Sequence, residues 1–328
     1  MTVNIENIRQ AAARLDGVAV RTPLLQNDYL NQRLQAKVFI KPESLQHIGA
    51  FKFRGAYNRL SQLNEEQRAL GVVAFSSGNH AQGIALAARL FGMRATIVMP
   101  SDAPALKLEG TQRLGATIRS YERATEVREE IAANIAADTG ATLVPAFEDP
   151  DIIAGQGTCG LEIIEQMDAL GETLQSVLIP CGGGGLLAGT STAVKALSPA
   201  TLVYGVEPQY YDDHLQSRQA GHRVAIDATA ATLCDALMAP MPGELTWSIN
   251  SKSVADFLLV TEEDVAHAVS FAFRYLKLVV EPGGVVALAA LLANKLDVSG
   301  STVAILLSGG NIDSSTFNWC LEQYPSPK

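Results

Sequence analysis

The sequence is poor in cysteine and in basic residues. Its four cysteines, in a chain of 328 residues, form neither a CxxC zinc pattern nor a dense disulfide framework, so free thiols are expected. Only 25 Lys and Arg residues stand against 34 Asp and Glu, and the formal net charge of −9 leaves no basic stripe for a nucleic-acid backbone. Nucleic acid is therefore not an expected partner. The cysteines are Cys159, Cys181, Cys234 and Cys320.

Long apolar runs are also absent. The first ten residues carry charge and lack the apolar core of a signal peptide. The most apolar stretch, residues 282–293, is too short and too interrupted by glycine to cross a bilayer. We therefore expect a cytoplasmic protein without a membrane partner. A composition of 48% hydrophobic and 18% charged residues is typical of a globular protein with one large or two medium domains.

Short apolar runs rich in β-branched residues alternate with segments of helical period from Lys37 onward. A long helical run is expected to open at Thr261, with Asp264 behind it. This alternation predicts an α/β protein in which helices flank parallel sheets, and composition alone gives no domain boundary. The predicted strands lie in VFIKPE, VVAFSS, ATIVMP, ATIRSY, ATLVPAF, SVLIP, LVYGVE and VAILLS, and predicted helices include HAQGIALAARLFG, TEVREEIAANIAADTG and GLEIIEQM.

Four consecutive glycines, Gly182, Gly183, Gly184 and Gly185, follow the apolar run 176–180 and precede a helical segment. Glycines let successive N–H groups turn inward, and a helix N-terminus adds partial positive charge, so this segment is suited to hold a phosphate. A tight turn without a ligand is the simpler alternative.

The same segment also fits a dinucleotide fingerprint loosely. Gly183, Gly185 and Ala188 match GxGxxA, and Glu207 ends the next predicted strand roughly twenty residues on, where a ribose-binding acid would lie. An NAD-dependent oxidoreductase and a non-catalytic ligand-binding α/β protein therefore stay open as alternatives.

The turn FSSGNHAQG links a predicted strand to a predicted helix and contains Ser76, Ser77, Asn79, His80 and Gln82. So many hydrogen-bond donors at one turn suit a carboxylate or phenolate oxygen. Helix N-capping is the alternative role of Ser77 or Asn79.

A later turn, LLSGGNID, places Ser308 and Asn311 at the carboxyl end of the last predicted strand. Open α/β sheets bind their ligands at this end, although a plain turn explains the pattern as well.

Lys52 lies between two phenylalanines in GAFKFRGA. Apolar neighbours lower the pKa of a lysine and favour an imine-forming amine. A lone lysine between aromatic residues is more typical of a surface side chain whose ammonium group reaches water. The case for a reactive amine therefore depends on its combination with the three turns.

These motifs together resemble, in order and spacing, the fold type II pyridoxal-phosphate (PLP) enzymes, most of all the threonine/serine dehydratases and serine racemases. The motifs are Lys52 in ESLQHIGAFKFRGAYN, Asn79 in SSGNHAQG, the four glycines and Ser308 in SGGN. The resemblance implies that Lys52 carries PLP as an imine and that Asn79 contacts its phenolic oxygen. It also implies that Gly182 to Gly185 hold the phosphate and that Ser308 faces the pyridine nitrogen.

The fold implied by this resemblance is that of the tryptophan synthase β-like enzymes, with two open twisted sheets flanked by helices. A large PLP-binding domain would comprise residues 1–52 and 146–328. A small domain of residues 53–145 would close over the cleft between them, and the family implies a homodimer.

The activity implied is β-elimination of water from serine, threonine or 3-hydroxyaspartate, giving a 2-oxo acid and ammonia. Lys52 would remove the Cα proton, and the turn with Ser76, Asn79 and His80 would bind the substrate carboxylate. The racemase branch has a serine at the position of Ser77, acting on the cofactor face opposite the lysine. Amino-acid racemisation is therefore the alternative activity on the same scaffold.

Two further roles follow from the racemase-like branch. Arg128 would meet a second substrate carboxylate, as in 3-hydroxyaspartate; a surface arginine paired with glutamates of its own helix is the alternative. Glu207, Asp213 and the backbone carbonyl of Tyr211 would hold a structural Mg²⁺, or Ca²⁺ or Mn²⁺, because such cations prefer oxygen ligands. A solvated acidic loop is the alternative to this metal site.

Overall fold

The computed structural model describes residues 3–76, 78–103, 105–122 and 124–325. Its helices are α1 Ile5–Leu15, α2 Asp28–Leu34, α3 Lys52–Ser61, α4 Glu65–Leu70, α5 Asn79–Leu90, α6 Ala105–Arg113, α7 Arg128–Thr139, α8 Pro150–Ala169, α9 Gly185–Leu197, α10 Asp213–Ala220, α11 Glu244–Ser253, α12 Glu262–Phe271, α13 Pro282–Leu292 and α14 Ser314–Gln323. Its strands are β1 Lys37–Pro42, β2 Val72–Phe75, β3 Ala95–Pro100, β4 Thr117–Tyr121, β5 Thr142–Leu143, β6 Ser176–Pro180, β7 Leu202–Pro208, β8 Asp256–Val260 and β9 Thr302–Leu307.

The strands form two parallel sheets. One has five strands in the order β1-β9-β6-β7-β8, and the other has four in the order β4-β3-β2-β5. Every residue of β6 and β9 is buried, as expected for strands covered by helices on both faces. The predicted α/β class with two sheets flanked by helices is thus confirmed. Ligands of such sheets bind beyond the carboxyl ends of the strands.

The predicted strands are all present, but β8 was missed. Its short sequence DFLLV lies directly before Thr261, and periodicity does not distinguish a short apolar run from part of a helix. Thr261 caps α12 in a capping box with Asp264, as the sequence indicated, yet α12 ends at Phe271 and the helical run continues as a π-helical turn, Ala272–Leu276. Helix α8 also starts earlier than expected, at Pro150, because Asp149 caps it.

Two simpler expectations can be compared with the structure directly. All four cysteines are free and buried, so the prediction of free thiols is confirmed. In the described part of the chain, no helix is long and apolar enough to cross a membrane.

Helix α3, which begins at Lys52, is anchored by a buried ionic cluster. Arg54 donates to both carboxylate oxygens of Glu43, at 2.8 Å each, and to both of Glu162, at 2.6 and 3.0 Å. Lys41 donates to Glu162 at 2.6 Å. Arg54, Lys41 and Glu43 are fully buried, and their carboxylate–cation pairing satisfies charges that would be costly alone. The cluster therefore fixes the first turn of α3 against β1 and α8.

Candidate active site

A cavity of about 650 Å³ lies between the two sheets. It is lined by every described residue to which the resemblance to the PLP enzymes gave a role in binding the cofactor or the substrate. Ser77, the predicted acid–base residue of the opposite face, lies outside the described residues. The predicted residues in the lining are Lys52, Ser76, Asn79, His80, Arg128, Gly182, Gly183, Gly184, Gly185 and Ser308.

The Lys52 amine faces this cavity. Its Nζ donates to the carbonyl of Ala146 at 2.9 Å and lies 5.3 Å from the centroid of the Phe51 ring. Burial lowers the pKa of Lys52 to about 8, and its position at the N-terminus of α3 also disfavours a positive charge. An amine that is partly neutral near physiological pH can act as a nucleophile and as a base.

The four glycines form the turn between β6 and α9. Gly184 has φ +86°, a conformation that favours glycine, and a Cβ on Gly183 would lie 2.4 Å from the Phe147 ring. Within the described part of the chain no side chain caps α9, so the N–H groups of its first turn are available to a ligand. The loop and the helix N-terminus together make an anion site on one wall of the cavity.

The side chain of Asn79 is held in a buried network at the opposite wall. Its Nδ2 donates to Glu281 and its Oδ1 accepts from Asn311 Nδ2 at 2.8 Å. Burial raises the pKa of Glu281 to about 7. One N–H of the Asn79 amide remains for a ligand oxygen, since an amide nitrogen has two hydrogens. Glu281 was not singled out in the sequence, because nothing in EPGG points to a partner 202 residues away.

Ser76 and His80 flank a second uncapped helix N-terminus. Helix α5 starts at Asn79 with Gly78 as its N-cap, and none of the described side chains caps it. His80 Nε2 contacts the carbonyl of Val144 at 3.1 Å, and burial, together with nearby Lys52, lowers the pKa of His80 to about 3. The imidazole is therefore neutral. A carboxylate at this position would therefore be bound by the backbone N–H groups of α5 and not by a charged histidine.

Arg128 opens α7 and lines the cavity, with its guanidinium carbon 5.4 Å from the centroid of the Phe75 ring. It also pairs with Glu129 at 2.8 Å, and both side chains of that pair are exposed, at 40% and 51%. Arg128 thus lines the cavity, as a role in substrate binding requires, and also pairs with a glutamate of its own helix, as the alternative predicted. An exposed ion pair contributes little free energy, so the guanidinium of Arg128 can leave Glu129 to bind another carboxylate.

Lys107 and Asp235 are two cavity residues that the sequence did not indicate. Lys107 on α6 is buried and forms an ion pair with Asp235, which begins a short 3₁₀ turn, Asp235–Leu237, on the other side of the cavity. Neither LKL nor CDA has a recognisable pattern, so no sequence signal could have found this contact.

The predicted metal ligands are not part of the cavity lining: Glu207 lies near the end of β7, Tyr211 lies in the loop that follows, and Asp213 is the first residue of α10. Glu207 and Asp213 are fully buried, and burial raises the pKa of Glu207 and raises that of Asp213 to about 8. Glu207 accepts the N–H groups of His214 and Leu215 at 3.0 Å each, which leaves it unsuited to a ribose. Neither carboxylate oxygen of Asp213 has a hydrogen-bond partner among the described residues. The same residues contain no group of three or more His, Cys, Asp or Glu side chains that could hold a metal.

Comparison with known proteins places the chain in a family. The model of the family described as pyridoxal-phosphate dependent enzyme matches residues 15–309. An L-threo-3-hydroxyaspartate ammonia-lyase from Pseudomonas sp. is 47% identical over 307 residues, which cover 94% of this chain and 95% of the relative. A protein of the same name from Saccharomyces cerevisiae is 42% identical over 311 residues, covering 95% and 94%.

Among solved structures, maize serine racemase superposes with a TM-score of 0.92 and 35% identity, covering 98% of each chain. The predicted fold type II arrangement is thus confirmed. The family match also argues against the two alternatives, an NAD-dependent oxidoreductase and a non-catalytic ligand-binding protein. The family match over residues 15–309 and the relatives at 47% and 42% identity show that the chain belongs to the pyridoxal-phosphate-dependent enzymes.

Proposed function

We propose that the enzyme eliminates water from a small β-hydroxy amino acid and releases a 2-oxo acid and ammonia. The observation that carries this proposal is the position of the Lys52 amine, in one cavity with two uncapped helix N-termini. One of these, at α9, suits the cofactor phosphate, and the other, at α5, suits the substrate carboxylate. The named relatives that act on 3-hydroxyaspartate support the same reaction.

When bound, PLP supplies the electron-withdrawing group that makes the substrate Cα proton acidic. The chain's own residues would bind and orient the cofactor and the substrate. The glycine loop and α9 would hold the phosphate, one N–H of the Asn79 amide would donate to the phenolic oxygen, and Ser308 would face the ring nitrogen. A hydroxyl at that nitrogen, rather than a carboxylate, favours elimination over transamination.

Lys52 would take the proton from Cα and pass it to the departing β-hydroxyl, which leaves as water, so that the amine of Lys52 is neutral again. The released enamine hydrolyses to the 2-oxo acid and ammonia. The turn Ser76–Asn79 and the N–H groups of α5 hold the substrate carboxylate during these steps. We assign Lys52 as the base because its amine faces the cavity and burial lowers its pKa to about 8, whereas the amine of Lys107 is paired with Asp235.

The pH profile gives a test of this assignment. Because the amine of Lys52 must be neutral to accept a proton, kcat should rise with pH through an apparent pKa of about 8 and then level off. Initial rates at saturating substrate between about pH 6 and pH 10, the span set by this pKa, would show the rising limb. A profile that is flat over the same range would contradict Lys52 as the base.

The substrate proposal is 3-hydroxyaspartate, with serine and threonine as poorer substrates. The support is Arg128, which lines the cavity and, among the described residues, contacts Glu129 in an exposed ion pair and the Phe75 ring. A guanidinium is well suited to a second carboxylate.

Arg128→Ala should therefore lower kcat/KM for L-threo-3-hydroxyaspartate by about 10- to 100-fold while serine turnover changes little, since a charge-assisted hydrogen bond contributes about 1.5–3 kcal/mol. Arg113→Ala, on the exposed end of α6, is the matched control and should change neither. Equal losses for both substrates in Arg128→Ala would show that Arg128 has no part in selecting a dicarboxylate.

Racemisation is the second candidate, supported by the likeness to maize serine racemase. Removal of the Cα proton is common to both reactions, so one incubation with L-serine can measure both products. Hydrazone absorbance reports the 2-oxo acid and chiral chromatography reports D-serine. The proposal expects 2-oxo acid in excess from the β-hydroxy substrates; D-serine as the main product would instead assign the enzyme as a racemase.

We also propose that Glu207, Asp213 and the Tyr211 carbonyl hold a structural divalent cation, most suitably Mg²⁺. The support is the burial of two adjacent carboxylates and the lack of a partner for the Asp213 oxygens among the described residues. Water molecules would complete the coordination.

If so, adding millimolar Mg²⁺ after EDTA treatment should raise the thermal midpoint by several degrees, because a ligand at about 100 times its Kd stabilises by about 2.7 kcal/mol. Asp213→Asn should abolish the response, and Asp297→Asn, at an exposed position, should keep it. An Asp213→Asn protein that still responds to Mg²⁺ would exclude this site.

We also propose that the chain folds as two domains. Residues 53–145 would form a small domain closing over a large domain of residues 1–52 and 146–328, supported by the position of β2 to β5 and by the Lys107–Asp235 ion pair across the cavity.

We propose that the protein is a homodimer in the cytoplasm. The exposed aromatic side chains of Tyr29 and Phe273 give the chain an apolar surface for a second copy. Light scattering would measure the oligomeric state.

A further inference from the structure

Helix α11 presents a row of polar side chains to the glycine loop. Thr246, Asn250 and Ser253 are spaced four and three residues apart, so they lie on one face of the helix. Thr246 and Asn250 are fully buried. Thr246 Oγ1 donates to the carbonyl of Gly183 at 2.8 Å, and Asn250 Nδ2 donates to the carbonyl of Gly184 at 3.2 Å. Ser253 instead contacts Ser191 on α9 at 2.8 Å.

These two hydrogen bonds act on the peptide groups that make the anion site. In a planar trans peptide, the carbonyl of one residue points opposite to the N–H of the next. Because the Gly183 carbonyl accepts a hydrogen bond from α11, the N–H of Gly184 points away from α11. The bond to the Gly184 carbonyl directs the N–H of Gly185 in the same way. The same Gly184 carbonyl also accepts the N–H of Ala188 at 2.8 Å, the first bond of α9.

The loop is also fixed by packing from the sides. A Cβ on Gly184 would lie 2.7 Å from both Asn250 Nδ2 and His214 Nε2, so the Gly184 backbone is in close contact with both side chains. The Phe147 ring fills the space beside Gly183. Flexible glycines alone would leave the N–H directions undetermined, whereas these contacts leave one arrangement.

Helix α11 is itself tied to the segment that contacts the Lys52 amine. The N–H of Leu245, in the first turn of α11, donates to the Glu148 carboxylate. Glu148 follows Phe147, which packs on the loop, and Ala146, whose carbonyl accepts from Lys52. One short segment, residues 146–148, therefore contacts the Lys52 amine, the glycine loop and the first turn of α11.

We infer that Thr246 and Asn250 are positioning residues for the cofactor phosphate: they orient the N–H groups of Gly184 and Gly185 toward it. This inference rests on the proposed placement of the phosphate at Gly182 to Gly185. Neither residue lines the cavity, so both act through the loop backbone and not by contact with the cofactor.

The test uses full-length holoenzyme with Thr246→Val, which keeps the shape of the side chain and removes the donor, and with Asn250→Leu. Each should raise the PLP dissociation constant about tenfold or more in equilibrium dialysis, as expected for losing one buried hydrogen bond at the ligand site. Each should also shift the ³¹P resonance of the bound cofactor. Thr246→Ser, which keeps the hydroxyl, should restore both properties, and Ser253→Ala on the same face should change neither.

Gly183→Ala separates this inference from the proposed phosphate site. If Gly183→Ala weakens PLP binding while Thr246→Val and Asn250→Leu leave the affinity and the ³¹P resonance unchanged, the positioning role is wrong and the phosphate site stands. If none of the three variants changes PLP binding, both the inference and the placement of the phosphate are overturned.

Discussion

Replacing Lys52 with alanine should lower 2-oxo acid release by about 10³-fold or more, because the variant loses both its amine nucleophile and its base. The effect follows from the position of Nζ in the cavity and from the burial that lowers the pKa of Lys52 to about 8. Hydrazone absorbance with L-threo-3-hydroxyaspartate, serine and threonine would measure the loss.

Lys37→Ala is the matched control for this experiment. Lys37 is an exposed lysine that pairs with Glu172 on the surface, so its loss should leave turnover unchanged. Turnover by Lys52→Ala within about tenfold of the wild type would contradict both roles given to the lysine, since a general base alone contributes at least 10²-fold.

Arg54→Met should lower the free energy of unfolding by about 3–5 kcal/mol, the cost of breaking a buried ion pair by removing one partner. Arg54 is fully buried and donates to both Glu43 and Glu162. Without the guanidinium, two buried carboxylates share the single ammonium of Lys41. Urea denaturation followed by circular dichroism, with PLP kept saturating, would measure the change.

Arg21→Met provides the comparison, because Arg21 pairs with Glu165 on the exposed side of the same helix α8. An exposed pair contributes at most about 1 kcal/mol, so the control should remain near the wild type. An equal loss of unfolding free energy in the two variants would contradict the expectation that the buried Arg54 cluster stabilises the fold more than an exposed ion pair does.

Much of the fold could be predicted because its strands are short apolar runs bounded by turns, and the parallel arrangement follows from their alternation with helices. Strand β8 was missed because DFLLV has no periodicity that separates it from the helix that follows. The start of α8 was also missed, since residues 150–159 contain two glycines, at which a Cβ would clash with α3 and α9, and glycine is unusual inside a helix.

The candidate site was predictable where its chemistry depends on residues adjacent in sequence. Gly182 to Gly185 and the turn before α5 are local patterns, and the structure brings both to the cavity with Lys52. Contacts between distant residues left no such trace. Thr246 reaches Gly183 from 63 residues away, and Lys107 reaches Asp235 from 128. The neutral state of His80 likewise depends on burial, which no local pattern reveals.

The most direct test of the account is to find which lysine carries the cofactor. Two lysines among the described residues, Lys52 and Lys107, line the cavity, so borohydride reduction of the holoenzyme followed by peptide mass spectrometry can distinguish them. The account predicts a pyridoxyl group on Lys52 alone, because Lys107 is engaged by Asp235. A pyridoxyl group on Lys107, or on neither lysine, would contradict it.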